Sequence, residues 1–506
     1  MSPTSSSSQS ESGSIDHGRR PPKPPFADVL ERELVAIVGR EAVLTSEADL
    51  RVYDCDAYSP EKRYPDAVVL PTDTGQVARI VKLCNRLKVP FTPRGAGTGL
   101  SGGATAIEGG LIISLIRMNK ILEADIPNRR MVAQAGCVNV YLTKAVKKDG
   151  LHYAPDPSSQ GACTVGGNVA ENSGGPHTLK YGVTTNHVTG VVLVLPDGEV
   201  VTLGGKVEDS PGYDLVGLVV GSEGTMGIVT EVTFRLTPLP QSVRTLLAIF
   251  ETVDQATQTV SDIIAAGVLP AALELIDTFI IKACEDAFHL GFPLDAEAVL
   301  IIEVDGLEVG LDAEAARASA IAVKNGAREV RQAKTELERA LLWKARKQAF
   351  GALGRLGKSM VTHDGVIPRT KLPEVLRQVR EIAKRHGLDV GNVFHAGDGN
   401  LHPNLMFDER DAEQIKNVIH AGEEILKLCV DVGGSVTGEH GIGIEKMNAL
   451  TWQFSEADLH LMEQIKGVFN QNNLCNPGKV LPTAKRCWET EHGPKMVKAA
   501  GRGVAV

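Results

Sequence analysis

The sequence predicts an α+β protein made of two mixed regions followed by helices. From Ala67 onward, short β-branched runs alternate with segments of helical spacing, and a second mixed region covers roughly residues 242–408. Helical patterns close the ordered chain at 411–431 and 455–470. Apolar residues three or four positions apart indicate amphipathic helices, whereas short apolar runs bounded by turn residues indicate strands.

Individual elements follow in chain order from the same periodicities. They are a helix at Asp28–Val38, a strand at VVLP, a helix from Thr74 to Leu87, a strand at Val89–Thr92, a helix from Asn139 to Lys148, helices at 312–324 and 335–350, and a strand at AVLIIEVDG. Thr74 has a side chain suited to capping its helix. A hairpin is predicted within VTGVVLVLPDGEVVTL, with Asp197-Gly198 at its turn.

The composition is that of a globular protein of two or three domains. The chain has 506 residues, of which 43% are hydrophobic and 23% charged. A net charge of −9 and the lack of a basic tract argue against a nucleic-acid partner. No apolar run approaches the roughly 20 residues of a membrane-spanning helix. Eight scattered cysteines without a CxxC pair argue against a disulfide scaffold and against an iron–sulfur cluster in this chain. We therefore expect a reducing, cytoplasmic location.

The two ends of the chain differ in composition from its middle. Residues 1–26 are Ser-rich and then Pro-rich without an apolar h-region, so we expect a disordered tail and no ordinary signal peptide. Arg19, Arg20 and Lys23 leave a transit peptide open, although acidic residues count against it. Residues 485–506 mix Lys, Arg, Gly and Ala, and we expect a flexible tail there as well.

Two short glycine-rich stretches in the last quarter of the chain contain the closest grouping of residues able to bind a metal or to transfer a proton. HAGDGNLHP offers His395 and His402, and GEHGIG offers Glu439 and His440. Two histidines and one glutamate form a three-ligand set that leaves an open position, as in catalytic metal sites. His440 stands beside the candidate ligand and is free to move a proton. The glycines between the first two histidines favour a turn that folds them together over a helix.

Three glycine-rich loops in the first half indicate a large cofactor held along its length. RGAGTGLSGG at 94–103 follows a predicted strand and can aim backbone N–H groups at a pyrophosphate. It is no Rossmann fingerprint, because no helical pattern begins within it, and no GK[ST] closes it as a Walker A loop. The small residues of DPSSQGACTVGGNVAENSGG at 156–175 let backbone lie close to a flat ligand. The third loop, GSEGTMGIV, spans 221–229.

These motifs resemble a known flavoprotein superfamily. PRGAGTGLSGG, the 156–175 run with KYG after it, and GSEGTMGIVTEVTF resemble the PCMH-type FAD-binding domain of the vanillyl-alcohol oxidase superfamily. HAGDGNLHP, GEHGIG and the NPGK run that begins at Asn476 resemble its 2-hydroxy-acid branch. Within that branch the nearest group is the D subunits of bacterial glycolate oxidases, with D-lactate and D-2-hydroxyglutarate dehydrogenases close to them. The resemblance covers about residues 40–490.

The resemblance implies a domain order. It predicts a PCMH-type FAD-binding domain, then an α+β substrate (cap) domain, then C-terminal helices. The expected boundaries are an N-terminal helical segment at 27–61, the FAD-binding domain at 62–241, the substrate domain with the metal site at 242–450, and a segment at 451–484 that returns to the flavin.

The resemblance also implies, position by position, the residues that contact FAD. The pyrophosphate loop falls on Arg94, Gly95, Ala96, Gly97, Thr98 and Gly99 with Ser101 nearby; ring and ribityl contacts fall on Pro155, Ser158, Thr164, Gly167, Asn168 and Asn172 with Gly174 and Gly175 beside them; Glu223, Gly227 and Val229 approach the adenosine half, and Asn476 the isoalloxazine. Superfamily members with covalent flavin attach it through a histidine in the first loop. This loop has no histidine, so we expect non-covalent FAD.

A reaction follows from the resemblance. His395, His402 and Glu439 would bind a divalent metal, expected to be zinc, which lowers the pKa of the substrate's α-hydroxyl. His440 would take the hydroxyl proton while the α-hydrogen leaves as hydride to flavin N5.

The resemblance implies two substrate contacts. Arg346, within LLWKARKQAF, would bind the substrate carboxylate through its bidentate fork, and Asn404 is a further substrate contact. Lys344 and Lys347 are interpreted as ordinary solvated charges. Thr362 stands where the 2-hydroxyglutarate branch has a lysine for a second carboxylate, which favours a short acid such as glycolate or D-lactate.

Alternatives remain open at this stage. D-lactate and D-2-hydroxyglutarate dehydrogenases are alternatives to glycolate oxidation within the same class. A metal-dependent hydrolase could use the same two histidines and glutamate. A third possibility is a structural subunit that borrows flavin chemistry from a paralogue.

Electron transfer out of the flavin implies partners. The resemblance implies a second flavin-type subunit and an iron–sulfur subunit that pass electrons to quinone, with direct use of oxygen also open. Any membrane association would then come through those subunits.

Overall fold

The computed structural model of the protein describes residues 24–208 and 211–482. Of the tail predicted at 1–26, all but the last three residues lie outside the described part of the chain. The tail predicted at 485–506 lies wholly outside it.

The first half of the described chain is mixed, as predicted. Its elements are α1 Ala27–Val38, β1 Val43–Leu44, α2 Glu47–Leu50, β2 Ala67–Val69, α3 Thr74–Leu87, β3 Phe91–Arg94, β4 Leu111–Ser114, β5 Ile121–Asp125, β6 Arg130–Gln134, α4 Asn139–Val146, β7 Leu151–His152, α5 Val165–Glu171, α6 Thr178–Tyr181, β8 Val188–Val194, β9 Val200–Gly204, α7 Leu215–Val219, β10 Ile228–Arg235 and β11 Thr237–Pro238. β8 and β9 pair antiparallel, which confirms the predicted hairpin.

Two sheets organise this half. The first has the order β1-β2-β4-β3, and β4 runs parallel to both of its neighbours. α1 and α3 cover it with buried apolar side chains that include Leu30, Leu34, Val77 and Ile80. The second sheet, β5-β6-β10-β8-β9, is antiparallel and packs on α4 and α5. The first glycine loop follows β3, the second contains α5, and the third leads into β10.

The start of α3 corrects one detail of the sequence prediction. The capping side chain is Asp73, which accepts a hydrogen bond of 2.8 Å from the backbone N–H of Gln76. Thr74 is the first helical residue, and its hydroxyl instead donates to Thr230 at 3.0 Å. Both residue types cap helices well, so sequence alone does not distinguish neighbouring candidates.

The second half is built on one large antiparallel sheet. Its elements are β12 Ser242–Phe250, α8 Val253–Ala265, β13 Ala272–Asp277, α9 Thr278–Phe288, β14 Ala298–Gly306, α10 Glu308–Lys324, β15 Glu329–Gln332, α11 Glu336–Lys347, α12 Ala349–Gly354, β16 Ser359–Thr362, β17 Gly365–Val366, α13 Leu372–Arg385, β18 Asp389–His395, β19 Asn400–Leu401, β20 Pro403–Phe407, α14 Ala412–Asp431, α15 Leu450–Gln453 and α16 Glu456–Phe469. No helix within the described ranges is both long enough and apolar enough to cross a membrane.

Helices cover both faces of this sheet. Along β12, Leu246, Ala248 and Phe250 pack with α8 and α10, whereas Leu247 and Ile249 pack on the opposite face with α9 and α12. Because successive side chains of a strand point to opposite faces, a strand buried on both sides becomes a continuous apolar run. AVLIIEVDG, predicted as a strand, is β14 at the centre of this sheet.

The chain returns to the first sheet after α16. Phe91 in β3 donates its N–H to Leu474 at 2.8 Å, and Asn476 donates its N–H to Phe91 at 2.7 Å. Residues 474–476 therefore extend the edge of the first sheet. This return places Asn476 beside the glycine loops, where its side chain donates to the carbonyls of Gly103 and Glu223.

A charged network joins the two halves around His177. One ring nitrogen donates to Asp156 at 3.0 Å and the other to Glu303 at 3.2 Å, and the ring stacks on Trp343. Burial opposes the charged ring, but the Asp156 and Glu303 carboxylates together outweigh it and raise the pKa of His177 to about 10. The imidazolium therefore bridges a carboxylate of each half at neutral pH.

Replacing His177 with Gln should destabilise the protein in a pH-dependent way. Glu303 keeps Arg339 and Asp156 keeps Lys347 as partners, so loss of the cation that the two carboxylates share costs about 2 kcal/mol. Because the pKa is raised from 6.5 to about 10, this stabilisation is fully present below pH 6.5 and is lost as the pH rises through about 10. Urea unfolding of wild type and variant at both ends of that range measures the effect. The exposed His460→Gln is the control, and an equal loss at both ends would contradict the assignment.

Candidate active site

A hairpin brings the two predicted histidine ligands together. His395 ends β18, residues 396–399 turn, and β19 pairs back so that Asn400 lies opposite His395. His402 follows β19 directly, and its ring meets that of His395 edge-on with centroids 5.0 Å apart. The turn expected from the glycines is present, with Gly399 at a positive φ of 79°.

The two histidines and Glu439 have the geometry of a ligand set. Their ligand atoms lie within 4.8 Å of one another: His395 Nε2 is 3.0 Å and His402 Nε2 is 3.4 Å from Glu439 Oε1. His402 Nε2 is buried and has no hydrogen-bond partner. An orphaned buried nitrogen facing a carboxylate and a second imidazole fits a divalent cation. Asp364, His402 and His440 form an overlapping second group within the same distance.

Glu274 supports the first of these histidines. It is the cross-strand partner of His395, and its Oε1 lies 2.7 Å from His395 Nδ1. A carboxylate on the far nitrogen orients a histidine ligand and leaves Nε2 for a metal. Burial opposes a charge on His395, yet Glu274 and Glu439 together hold its pKa well above the usual range. Burial raises the pKa of Glu439, but His395, His402 and His440 together outweigh it and lower this pKa to about 2.

Asp364 holds the loop that carries Glu439 and His440. Its carboxylate accepts backbone N–H groups from Gly438 at 2.9 Å, Glu439 at 3.2 Å and His440 at 2.9 Å. It is fully buried, and burial opposes its ionisation, but the Lys446 ammonium 3.3 Å away holds its pKa well below the usual range.

The first half of the chain holds the other end of the same loop. Glu223 accepts the N–H groups of Ile442 at 2.6 Å and Gly443 at 2.7 Å. The hydroxyl of Ser101 donates to the carbonyl of His440 at 2.9 Å, and the backbone carbonyl of Ser101 accepts the N–H of Ile444 at 2.8 Å. Two residues predicted to contact FAD thus also fix the loop that carries Glu439 and His440.

His440 is arranged as a neutral base. Its ring stacks on His402 with centroids 4.8 Å apart, and its Nδ1 is buried without a hydrogen-bond partner. Burial lowers the pKa of His440 to about 4, more than the nearby Asp364 carboxylate raises it. At neutral pH the ring carries no charge and can accept a proton.

A cavity of about 450 Å³ connects this cluster to the glycine loops. Most predicted FAD contacts line it: Arg94, Gly95, Ala96, Gly97, Thr98, Gly99, Ser158, Thr164, Gly167, Asn168, Glu223, Gly227 and Val229. The other predicted contacts lie outside its lining: Ser101, Pro155, Asn172, Gly174, Gly175 and Asn476. His402, Glu439 and His440 line the same cavity. One continuous space therefore reaches both predicted sites.

Bare backbone forms much of the cavity wall. Gly97 has a φ of 72°, and a Cβ there would lie 2.2 Å from the Arg94 guanidinium. Thr164 caps α5, accepting from the N–H of Gly167, so the helix begins at the wall. Backbone N–H groups of a glycine loop can bind an anionic group, and the glycines allow close approach by a flat ring. The cavity fits a dinucleotide cofactor.

The two predicted substrate contacts do not line the cavity. Arg346 is 1% exposed; its Nε contacts Glu274, its Nη1 donates to Ser158 at 3.4 Å, and its Nη2 lies 3.3 Å from His395. Asn404 is fully buried and bonded to Thr362 and to the carbonyls of Gly391 and His402. These hydrogen bonds fix the two side chains within the protein. The roles of Arg346 and Asn404 in binding substrate stay predictions.

Lys347 corrects another interpretation. It was expected to be an ordinary solvated charge, but it lines the cavity and its Nζ lies 3.4 Å from Asp156. Lysine patterns on a helix do not reveal which face meets a second domain.

Comparisons with known proteins agree with this geometry. Residues 239–480 match the family model described as FAD linked oxidases, C-terminal domain, and residues 65–204 match an FAD binding domain. Glycolate oxidase subunit GlcD of Escherichia coli K12 is 45% identical, over 88% of this chain and 90% of the relative. The chain belongs to the FAD-linked oxidases. A D-lactate dehydrogenase of Anaerostipes hadrus is 37% identical over 83% of this chain and 90% of that protein.

Among solved structures, 4-ethylphenol oxidase from Gulosibacter chungangensis has the same fold. Its TM-score is 0.77 at 20% identity, over 92% of this chain and 99% of that one. The predicted family and the α+β fold class, with a PCMH-type FAD-binding domain and a second domain, are confirmed. This member of the family is an FAD-dependent oxidoreductase, so the hydrolase alternative is excluded. The metal, its ligands and the individual FAD contacts remain predictions.

Two residues of the cluster were missed as functional candidates. Glu274 is the one charged residue before Asp277 in the otherwise apolar β13, which signals a buried carboxylate with a partner. That partner lies 121 residues away and could not be read from spacing. Asp364 carries a weaker signal, because one acidic residue beside a histidine has no special pattern.

Replacing Asp364 with Asn should destabilise the fold as well as the loop. The variant removes the nearer counter-charge of the buried Lys446 and leaves Glu445 at 3.9 Å, so we expect a cost near the lower end of the about 3–5 kcal/mol typical of a broken buried pair. Thermal unfolding of the purified flavoprotein is therefore expected several degrees lower. Adding Lys446→Met removes the orphaned charge and should recover part of the loss. Strictly additive losses in the double variant would refute the pairing.

Proposed function

We propose that the protein oxidises a short 2-hydroxy acid to the 2-oxo acid with FAD as the electron acceptor. The observation that carries the proposal is the cavity itself. It joins the glycine loops of the FAD-binding half to a buried cluster of His402, Glu439 and His440. A site that can hold a flavin beside a proton acceptor and a candidate metal suits removal of a proton from a hydroxyl group and of a hydride from the carbon that bears it.

Cofactors would supply the chemistry that side chains lack. FAD would accept the hydride, and a divalent metal held by His395, His402 and Glu439, with zinc suited to this donor set, would lower the pKa of the substrate hydroxyl. The protein's own contribution is a neutral His440 whose unpartnered Nδ1 can accept that proton. Asp364 and Glu223 keep its loop in place.

An anionic substrate also needs a cation near the cluster. Arg346 is proposed for the substrate carboxylate because its Nη1 reaches Ser158, which lines the cavity. A small rotation of Ser158 would give a carboxylate access to the guanidinium edge. Glu274 holds the other edge, so the fork is fixed before substrate arrives.

Glycolate is the first substrate proposed and D-lactate the second. The relatives named above are a glycolate oxidase subunit and a D-lactate dehydrogenase, and both act on short 2-hydroxy acids according to their names. Thr362, which replaces the second-carboxylate lysine of longer-acid enzymes, is bonded to Asn404. A D-2-hydroxyglutarate dehydrogenase remains the alternative.

Electrons are proposed to leave through a partner. The relative from Escherichia coli is named as a subunit, which implies an assembly for that protein. By analogy we propose a second flavin-type subunit, an iron–sulfur subunit and quinone as acceptor, with membrane association through those partners.

Anaerobic titration tests the proposed function directly. The isolated chain, mixed without oxygen with glycolate, D-lactate, L-lactate or D-2-hydroxyglutarate, should lose its flavin absorbance with the first two acids. Reoxidation by a quinone analogue or by air then identifies the acceptor. A flavin that no 2-hydroxy acid bleaches contradicts the proposal, and would favour a structural subunit.

Replacing His402 with Ala should remove the metal while leaving FAD bound. Losing one of three ligands lowers metal affinity by about 10²-fold or more, so the purified variant should hold little metal. Elemental analysis, together with flavin absorbance, measures this. His420→Ala, on the surface of α14, is the control. Full metal content with normal turnover in His402→Ala would end the metal assignment.

Replacing His440 with Gln should slow oxidation without emptying the site. Loss of a general base reduces kcat by about 10²–10⁴-fold. Metal and FAD contents should match wild type, because His440 is not among the proposed ligands. Stopped-flow measurement of flavin reduction isolates this step. Reduction at the wild-type rate would assign the proton to another group.

A further inference from the structure

The second half of the protein contributes only a short stretch of wall to the cavity. Among the described residues, those that line it from this half are Lys347, Phe350, Met360, His402, Glu439 and His440. Three of them form the proton-accepting and ligand cluster. The other three lie on α11, α12 and β16 and form the rest of the wall that this half contributes.

Phe350 and Met360 lie on elements close in sequence to the proposed substrate groups. Phe350 follows Arg346 by four positions, beyond the break at Gln348 that separates α11 from α12. Met360 lies two residues before Thr362 on β16, and so on the same face of the strand. Thr362 is the cross-strand partner of Asn404, which bonds to the carbonyl of His402.

The polar groups around these two side chains are already engaged. Lys347 lies 3.4 Å from Asp156, and the hydroxyl of Thr362 donates to Asn404 at 2.8 Å. Arg346 bonds to Glu274, so the part of its fork that remains serves one carboxylate. Lys347 is the cation on this stretch of wall and already contacts Asp156, so an anionic group brought against Phe350 and Met360 would lose water and meet no unengaged counter-charge.

Resting on the proposed function, we propose that Phe350 and Met360 select the substrate by the group attached to C2. They form an apolar wall that accepts hydrogen or a short alkyl group and excludes a second carboxylate. The enzyme therefore takes monocarboxylic 2-hydroxy acids and rejects dicarboxylic ones of similar length.

A lysine placed in this wall tests the proposal. Met360→Lys supplies the missing counter-charge, and Leu356→Lys adds the same charge at a residue that is 47% exposed and outside the cavity lining. Two readouts are compared: kcat/KM for D-lactate and D-malate, and calorimetric binding of pyruvate and 2-oxoglutarate, which needs no turnover. FAD content of each variant is measured first, and Met360→Gln replaces a Met360→Lys protein that fails to fold.

Wild type should prefer D-lactate to D-malate by about 10²-fold, as expected when a carboxylate meets an apolar wall. Met360→Lys should move both the kinetic and the binding ratio toward the dicarboxylate by about tenfold or more, and Leu356→Lys should leave them unchanged. Met360→Gln should move the ratios in the same direction by a smaller factor, since it adds a hydrogen-bond donor without charge.

Phe350→Ala gives an independent arm, because it removes wall volume without adding charge. It should improve kcat/KM for D-2-hydroxybutyrate relative to glycolate by about tenfold. Unchanged ratios in FAD-loaded Met360 and Phe350 variants overturn the selection role while leaving the oxidation of 2-hydroxy acids intact. A wild-type flavin that no acid reduces overturns the proposed function instead, so the two failures are distinguishable.

Discussion

Two buried carboxylates, one from each half of the molecule, fix the loop on which the proposed chemistry depends. Asp364 of the large sheet accepts the backbone N–H groups of residues 438–440, and Glu223 of the FAD-binding half accepts those of 442 and 443. Glu439 and His440 lie between these anchors. Their positions therefore depend on the docking of the two halves, because neither half alone supplies both carboxylates.

A third buried carboxylate, that of Glu274, links the candidate metal ligands to the residue proposed to bind substrate. Glu274 contacts His395 with one oxygen and Arg346 with the other. A carboxylate shared in this way orients an imidazole and a guanidinium at once, so neither must be ordered when substrate binds. A carboxylate with several partners also lies between the two halves of the molecule. Glu303 accepts hydrogen bonds there from His177, Arg339, Thr245 and Trp343.

The sequence predicted those parts of the site that consist of local runs. His395, His402, Glu439 and the glycine loops stood out because each lies in a dense pattern. The structure groups the two histidines with Glu439, and His402, Glu439 and the glycine loops line one cavity. Glu274 and Phe350 did not stand out, since their roles come from pairing with distant residues. The predictions for the capping residue of α3 and for the surroundings of Lys347 were wrong for a similar reason. Both features depend on which residues become neighbours in the folded chain.

Prediction from sequence was strongest for the fold and weakest for contacts. The hydrophobic patterns of the sequence located β14, α14 and α16, because an element buried on one or both faces has apolar residues at positions set by its geometry. The substrate contacts assigned by resemblance to Arg346 and Asn404 are different. Each side chain is bonded within the protein, so the structure describes how they are held and leaves contact with substrate to experiment.

The return of residues 470–476 to the first sheet has a consequence for how the protein is made. Asn470 bonds to the carbonyl of Thr225, residue 474 bonds to Phe91, and Asn476 bonds to the carbonyls of Gly103 and Glu223. Synthesis runs from the N-terminus, so the glycine loops are made before the residues that pair with them. The flavin pocket therefore cannot gain these partners until residues 470–476 have been synthesised and have left the ribosome.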